Sequence, residues 1–173
     1  MNIATQDLTH AKLVNLAAKW LHTRRVKRCG VVVAEIMSAS VEQPDAIGWY
    51  CGFSTVVECK MSRSDFLADR EKSHRKMGRT LGTYRYYLAP KGLLKPDDVA
   101  TDGLLEAYWD TTFKRFMVNC VKQAEQRFDI SESALRDEIC ILTSAVRRMK
   151  QREFIRIIES DDVTEQPSAK EGK

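Results

Sequence analysis

Two carboxylates and a lysine in one short stretch carry the chemistry this chain could perform. Asp45, Glu58 and Lys60 lie within Pro-Asp-Ala-Ile-Gly-Trp-Tyr-Cys-Gly-Phe-Ser-Thr-Val-Val-Glu-Cys-Lys, from Pro44 to Lys60. Cys51-Gly52 supplies a turn between two strand-like runs, so the stretch is expected to form a hairpin. A hairpin centred there sets Asp45 across from Glu58. Glu58 and Lys60 are two apart and leave a strand on one face. Carboxylates gathered at one end of a sheet repel each other and need a counter-charge. A divalent cation supplies it, and hard oxygen ligands suit Mg²⁺ or Mn²⁺.

The elements that must position these groups follow from periodicity. Leu13, Leu16, Ala17, Trp20 and Leu21 repeat at helical spacing, which predicts an amphipathic helix from Leu8 to about Arg25, capped by Asp7 or Thr9. Arg24, Arg25, Lys27 and Arg28 crowd its end, where cations offset the helix dipole as readily as they would contact a phosphate. Gly30 is expected to stop that helix and open a strand. Residues 31–37 read as this strand, with Glu35 embedded in it. A glutamate there needs a partner. It is either a third acidic group at or beside the metal site or the mate of a nearby cation.

Ser62 to about Arg79 reads as the next helix, with a capping-box-like start from Ser62 and Asp65. Asp65 and Asp69 share a face that could turn toward Lys60, or else serve as cap and helix ion pairs. Thr83–Ala89 reads as a Tyr-rich strand and Gly103–Tyr108 as a last short one. The order is helix, three strands, helix, strand, strand.

Pro44-Asp45 followed by Glu58-Cys59-Lys60 resembles the motif of the PD-(D/E)xK nuclease superfamily. Asp45-Ala46-Ile47-Gly48, the run from Ser62 to Arg70, Tyr84-Arg85-Tyr86-Tyr87-Leu88-Ala89-Pro90 and Gly92-Leu93-Leu94 are similar to one branch of it, the MmcB-like DNA-repair proteins and their phage relatives. The likeness runs from roughly Leu8 to Trp109. It implies an α/β, restriction-endonuclease-like fold: a mixed central sheet flanked by helices, with a helical C-terminal extension here. It also implies a metal-dependent DNA endonuclease in DNA repair or phage DNA metabolism. Asp45 and Glu58, with the Cys59 carbonyl, would hold Mg²⁺ or Mn²⁺. Lys60 would orient a water or stabilise charge on phosphoryl oxygens. Glu35 is the further catalytic candidate. A nuclease-fold protein that binds nucleic acid or another protein without cutting remains the alternative.

The charge pattern is compatible with a DNA partner. The net charge is +4, but Lys60 to Lys91 alone holds nine Lys/Arg against three Asp/Glu. Such a run beside a carboxylate site is the footprint expected for a phosphate backbone, though most charge runs are solvated helix faces. Arg63, Arg70, Lys72, Arg75, Lys76 and Arg79 are the expected phosphate contacts.

At 173 residues, 43% hydrophobic and 30% charged, the chain is expected to form a globular core over residues 1–110. A helical extension is expected over 111–159 and a disordered tail over 160–173. Phe113, Phe116, Met117, Cys120, Val121, Ala124 and Phe128 are read as one helical stripe. Ser131 then caps a second helix whose Leu135, Ile139, Leu142, Val146 and Met149 form a short heptad seam. That seam would pack on the first helix or the sheet, or pair with a second copy as a homodimer. Five cysteines, an odd number without CxxC spacing, argue against a disulfide framework and a structural zinc site. With no leader-like run and no membrane-length apolar segment, the expected compartment is the cytoplasm.

Overall fold

The computed structural model describes residues 8–71 and 80–150. Helix α1 (His10–Thr23) starts where Thr9 Oγ1 accepts from the Lys12 amide at 3.3 Å. It ends at Arg24, six residues short of Gly30, so the glycine opens the following strand but does not stop the helix. Strand β1 (Val31–Ala34) is shorter than expected. Glu35 adopts a left-handed φ of +48°, which takes its side chain out of the strand alternation.

Strands β2 (Ala46–Tyr50) and β3 (Phe53–Cys59) form the expected hairpin, with Tyr50 paired to Phe53. Cys51 and Gly52 both have positive φ, as a two-residue turn matched to strand twist requires. Helix α2 (Arg63–Arg70) follows, capped by Ser62 Oγ accepting from the Asp65 amide at 3.1 Å. Strands β4 (Tyr84–Pro90), β5 (Gly103–Asp110) and β6 (Arg115–Lys122) complete the sheet, and α3 (Glu132–Lys150) closes the described chain.

The six strands lie in sequence order. β1, β2 and β3 are antiparallel, β3, β4 and β5 are parallel, and β6 returns antiparallel to β5. This is a mixed sheet flanked by helices with a further helix at the C-terminal side. One face packs Val57, Cys59, Tyr86, Leu88 and Leu105 against Leu13, Val14, Ala17 and Leu21 of α1. On the opposite face Val56 and Ile47 meet Ala134 and Ile141 of α3, while Tyr87 and Ala89 meet Phe66 of α2.

Two expectations for the C-terminal third do not hold. Residues 115–122 are a strand of the sheet, not part of a helical stripe, so the core extends past residue 110 and the helical segment begins at Glu132. The turn is built by Asp110, whose Oδ1 accepts from the amides of Thr112 and Phe113 at 2.9 Å each. The heptad seam is not the packed face of α3. Ala134, Glu138 and Ile141 are buried, whereas Leu135, Ile139 and Val146 are 48%, 61% and 45% exposed. Residues 160–173 lie outside the described residues.

Candidate active site

The hairpin delivers the three groups to one end of the sheet. Ala46 pairs with Val57, so Asp45, one residue earlier, faces Glu58 in register. Asp45 Oδ2 accepts from the Cys59 amide at 2.7 Å, taking the place a strand carbonyl would hold. Its Oδ1 lies 3.6 Å from His10 Nε2, at the start of α1. Asp45 thus joins the end of the hairpin to the first turn of the first helix.

Glu58 and Lys60 sit on the α2 side of the sheet, both nearly fully buried. Lys60 Nζ lies 3.2 Å from Asp69 Oδ1 and 3.7 Å from Glu58 Oε2. Arg85 Nη2 lies 2.7 Å from Glu42 Oε1 and 3.7 Å from Glu58 Oε1. The two contacts of Glu58 are ion pairs beyond hydrogen-bond length. Tyr87 OH donates to Asp69 Oδ2 at 3.2 Å. Glu42 Oε2 accepts from the Leu81 amide at 2.7 Å.

Burial dominates the protonation of this cluster. It pushes the Glu58 carboxyl up to about 7, with Arg85 and then Lys60 pulling down and Glu42 and Asp69 pushing up. Burial works against the Arg85 charge too, but Glu42 and Glu58 outweigh it and hold the guanidinium charged. The Cys59 thiol is driven well above its ordinary value, first by burial and then by the Asp45 and Glu58 carboxylates. Its side chain packs on the α1 face and is a core group. Only its backbone belongs to the site.

Glu35 does not stand where the strand pattern put it. It follows the end of β1, exposed, with its amide donating to the Asp45 carbonyl at 3.0 Å. Its carboxylate still acts on the Cys59 thiol, which places it at the same end of the sheet. It is a rim group, not a buried third ligand. Asp69 turns inward to Lys60, while Asp65 stays exposed in the first turn of α2.

The expected phosphate contacts divide. Arg63 makes a two-pronged pair with Asp98, at 2.9 and 3.0 Å, and its hydrogen bonds hold the Asp98 carboxyl down to about 2. Arg70 Nη1 donates to the Asp98 carbonyl at 3.2 Å. Both arginines therefore brace the turn at Pro96–Val99 in this structure. Lys72, Arg75, Lys76 and Arg79 lie outside the described residues. Of the nine cations between Lys60 and Lys91, Lys60 and Arg85 are buried in ion pairs and offer nothing to solvent.

Glu42, Arg85 and His10 are site neighbours that sequence reasoning did not single out. Arg85 carried a signal, because it alternates with Tyr84 and Tyr86 and so must enter the sheet's other face, where a guanidinium needs an acid. Glu42 precedes the Pro-Asp pair in a loop and carries no such pattern.

Two carboxylates with a neighbouring carbonyl are hard oxygen donors, which fits an ion such as Mg²⁺ that keeps several waters of its own. Among the described residues, no three His, Cys, Asp or Glu side chains gather into a metal-holding group. Any ion here would therefore draw on the Cys59 carbonyl, water or substrate for the rest of its shell.

Fold and site together define a mixed α/β protein whose sheet end carries a buried, charge-paired cluster. No family model and no curated protein matches the chain. Among solved structures it is similar to the SPO1766 protein of unknown function from Silicibacter pomeroyi. The TM-score is 0.56 at 23% identity, over 92% of this chain and 99% of that one. At that identity the likeness is one of fold. No helix among the described residues is long and apolar enough to cross a membrane.

Proposed function

We propose that this chain is a Mg²⁺- or Mn²⁺-dependent deoxyribonuclease, an endonuclease acting in DNA repair or phage DNA metabolism. The observation that carries the reading is the β2–β3 hairpin, which sets Asp45 opposite Glu58 with Lys60 on the Glu58 face. Asp45 and Glu58 would hold the ion with the Cys59 carbonyl. The ion, when bound, polarises a phosphodiester oxygen and lowers the pKa of bound water. Lys60 would orient that water or stabilise the phosphoryl oxygens as charge builds on them. Asp69, itself held by Tyr87 OH, fixes the Lys60 ammonium beside Glu58. Glu35 at the rim would bias the approach of anions and cations to the same end. DNA is the proposed partner, and the exposed Leu135–Ile139–Val146 stripe of α3 supports pairing with a second copy.

A second reading, a nuclease-fold protein that binds nucleic acid or protein without cutting, draws on a different observation. Glu58 and Lys60 are only 5% and 4% exposed and are held by Arg85 and Asp69. A substrate phosphate would have to open that cluster to reach them.

Cleavage of supercoiled, linear and branched DNA with Mg²⁺ or Mn²⁺ decides between the two. Under the nuclease reading, Lys60→Ala and Asp45→Asn each lower the rate by about 10²-fold or more, because each removes an electrostatic contribution to the transition state. No cleavage of any DNA form by the wild-type chain with either ion leaves the binding reading.

A further inference from the structure

At the other end of α1 lies a cavity of about 540 Å³ that the hairpin site does not use. The C-terminal turn of α1, the start of β4 and the segment after β6 enclose it. Three of its lining residues, Arg24, Arg25 and Lys27, are cations, and none is acidic. Its walls include Trp20, Tyr84 and Tyr86. Its size falls in the usual range for small-molecule sites.

Two of these cations, Arg24 and Lys27, are positioned by neutral groups. Arg24 Nε donates to the Lys27 carbonyl at 2.7 Å, Arg24 Nη2 donates to Thr55 Oγ1 at 3.0 Å, and the guanidinium lies 5.1 Å from the Trp20 ring centre. The Lys27 ammonium donates to Tyr84 OH and sits 3.7 Å from the centre of that ring. Lys27 does this from a left-handed φ of +56°, a conformation a lysine adopts only when its surroundings enforce it. Elsewhere Lys60, Arg63, Arg85 and Arg136 each face a carboxylate, while Arg70, Lys122 and Arg148 donate to backbone carbonyls. Here three cations line one cavity that has aromatic walls and no acidic lining residue, a setting suited to an anion.

The rings say what kind of anion. Trp20 is half-buried and meets Tyr86 edge-on at 5.0 Å. The Tyr86 ring lies so close to Gly103 that a Cβ there would come within 2.3 Å of it, which fixes the ring against β5. Tyr86 OH donates to Gln123 Oε1 at 2.8 Å, leaving the Gln123 amide nitrogen as a donor at the mouth. Rigid aromatic surface, an amide donor and clustered cations are the combination that binds a planar base joined to a phosphate.

We propose that this cavity binds a nucleoside monophosphate unit, its phosphate against Arg24, Arg25 and Lys27 and its base against the half-buried Trp20 ring, which the buried Tyr86 braces from behind. The unit is either a free nucleotide or the terminal nucleotide of a DNA strand. The site is distinct from the hairpin end. Tyr84 and Tyr86 face α1, opposite Glu58 and Lys60, and α1 separates the cavity from His10 and Asp45 by roughly 20 Å at 1.5 Å per residue.

Calorimetric titration of the full chain in EDTA at low salt tests it, with dAMP, dTMP, deoxyadenosine, inorganic phosphate and short oligothymidylates with and without a 5′-phosphate as probes. The nucleotides should bind at least about tenfold more tightly than phosphate or nucleoside alone, since each half then adds its own contact. Arg25→Glu, at an exposed rim position, should weaken nucleotide binding about tenfold or more. Lys91→Glu makes the same charge change at a distant turn and should alter it less than about twofold. Trp20→Leu should weaken nucleotide binding roughly five- to a hundredfold while leaving phosphate affinity unchanged. A thermal melt reports whether that variant folds, and the Arg25→Glu comparison stands without it. Tighter binding of the 5′-phosphorylated oligonucleotide than of dTMP assigns the strand end, and equal binding assigns the free nucleotide. Phosphate binding as tightly as nucleotide, equal losses in Arg25→Glu and Lys91→Glu, or no binding of any probe at millimolar concentration overturns the proposal. Asp45→Asn should leave all of these affinities intact, so failure of the nuclease reading and failure of this one are separate results.

Discussion

Glu58 is the residue on which the site's electrostatics turn. Its carboxyl sits at about 7, well above the ordinary value, because burial outweighs Arg85 and Lys60. The sign of the consequence is fixed. A carboxyl whose folded pKa is raised holds its proton more tightly in the folded chain, so ionising it costs stability. That cost is absent below the unfolded pKa near 4.3, grows as pH rises toward 7 and is complete above it. Glu58→Gln removes the ionisation while keeping the shape. In EDTA, the stability of this variant relative to wild type should therefore improve by on the order of 2 kcal/mol between about pH 5 and pH 8. Urea unfolding across that range measures it. A difference that stays flat would mean the cluster's cations already neutralise Glu58 in full.

At the scale of elements, α3 is held to the sheet by a polar latch. Glu138 Oε1 accepts from Ser54 Oγ at 2.8 Å and from the Gly82 amide at 3.0 Å, and Oε2 accepts from Trp49 Nε1 at 3.1 Å. Glu138→Ala strands three donors beneath the helix and should cost roughly 3–5 kcal/mol. Glu138→Gln keeps the oxygen that serves two of them and should cost about 1–2 kcal/mol. Equal losses in the two variants, read from urea unfolding, would show that packing and not the latch holds the helix.

This latch also explains why the packed face of α3 was not legible. The large apolar residues of the heptad suggested a seam, but the buried face uses small Ala134, polar Glu138 and Ile141. Small side chains bring the helix backbone close to the sheet, and a glutamate earns its burial only through partners far away in sequence. The strand at 115–122 was hidden for a related reason. Phe116, Met117, Cys120 and Val121 satisfy a helical period, while Phe116, Val118 and Cys120 also satisfy the strand period that brings them onto α1. Only the pairing with β5, a tertiary fact, decides between the two. The hairpin was legible because its turn residues and alternation are local. The seam left outside leads to a further expectation. If it pairs two copies, the wild-type chain sediments as a dimer, and Ile139→Glu, placing a charge at a residue 61% exposed, shifts it to monomer. A wild-type chain that is monomeric at high micromolar concentration removes the homodimer.

For the whole molecule, the question is whether the sheet end is a metal site closed by its own cations or a permanently paired cluster. Folding linkage separates these without any substrate. An ion that binds only the folded chain stabilises it by about 1.4 kcal/mol at tenfold excess over its dissociation constant, a shift of roughly 3–5 °C for a domain of this size. Asp45→Asn is the informative variant, because an amide oxygen can still accept from the Cys59 amide and keep the hairpin end intact. It should melt as wild type does in EDTA and gain little from Mg²⁺ or Mn²⁺. The pH dependence adds a second axis. With Glu58 at about 7, a divalent ion must displace its proton below that pH but meets a carboxylate above it. The metal shift of the wild-type melt should therefore be larger near pH 8 than near pH 6, with Mn²⁺ and Mg²⁺ alike. A shift that is equal at both pH values, or equal in wild type and Asp45→Asn, places the ion elsewhere on the molecule. No shift in the wild-type chain, together with no cleavage of any DNA form, leaves Lys60 and Arg85 as the permanent counter-charges of Glu58, and the sheet end as structure.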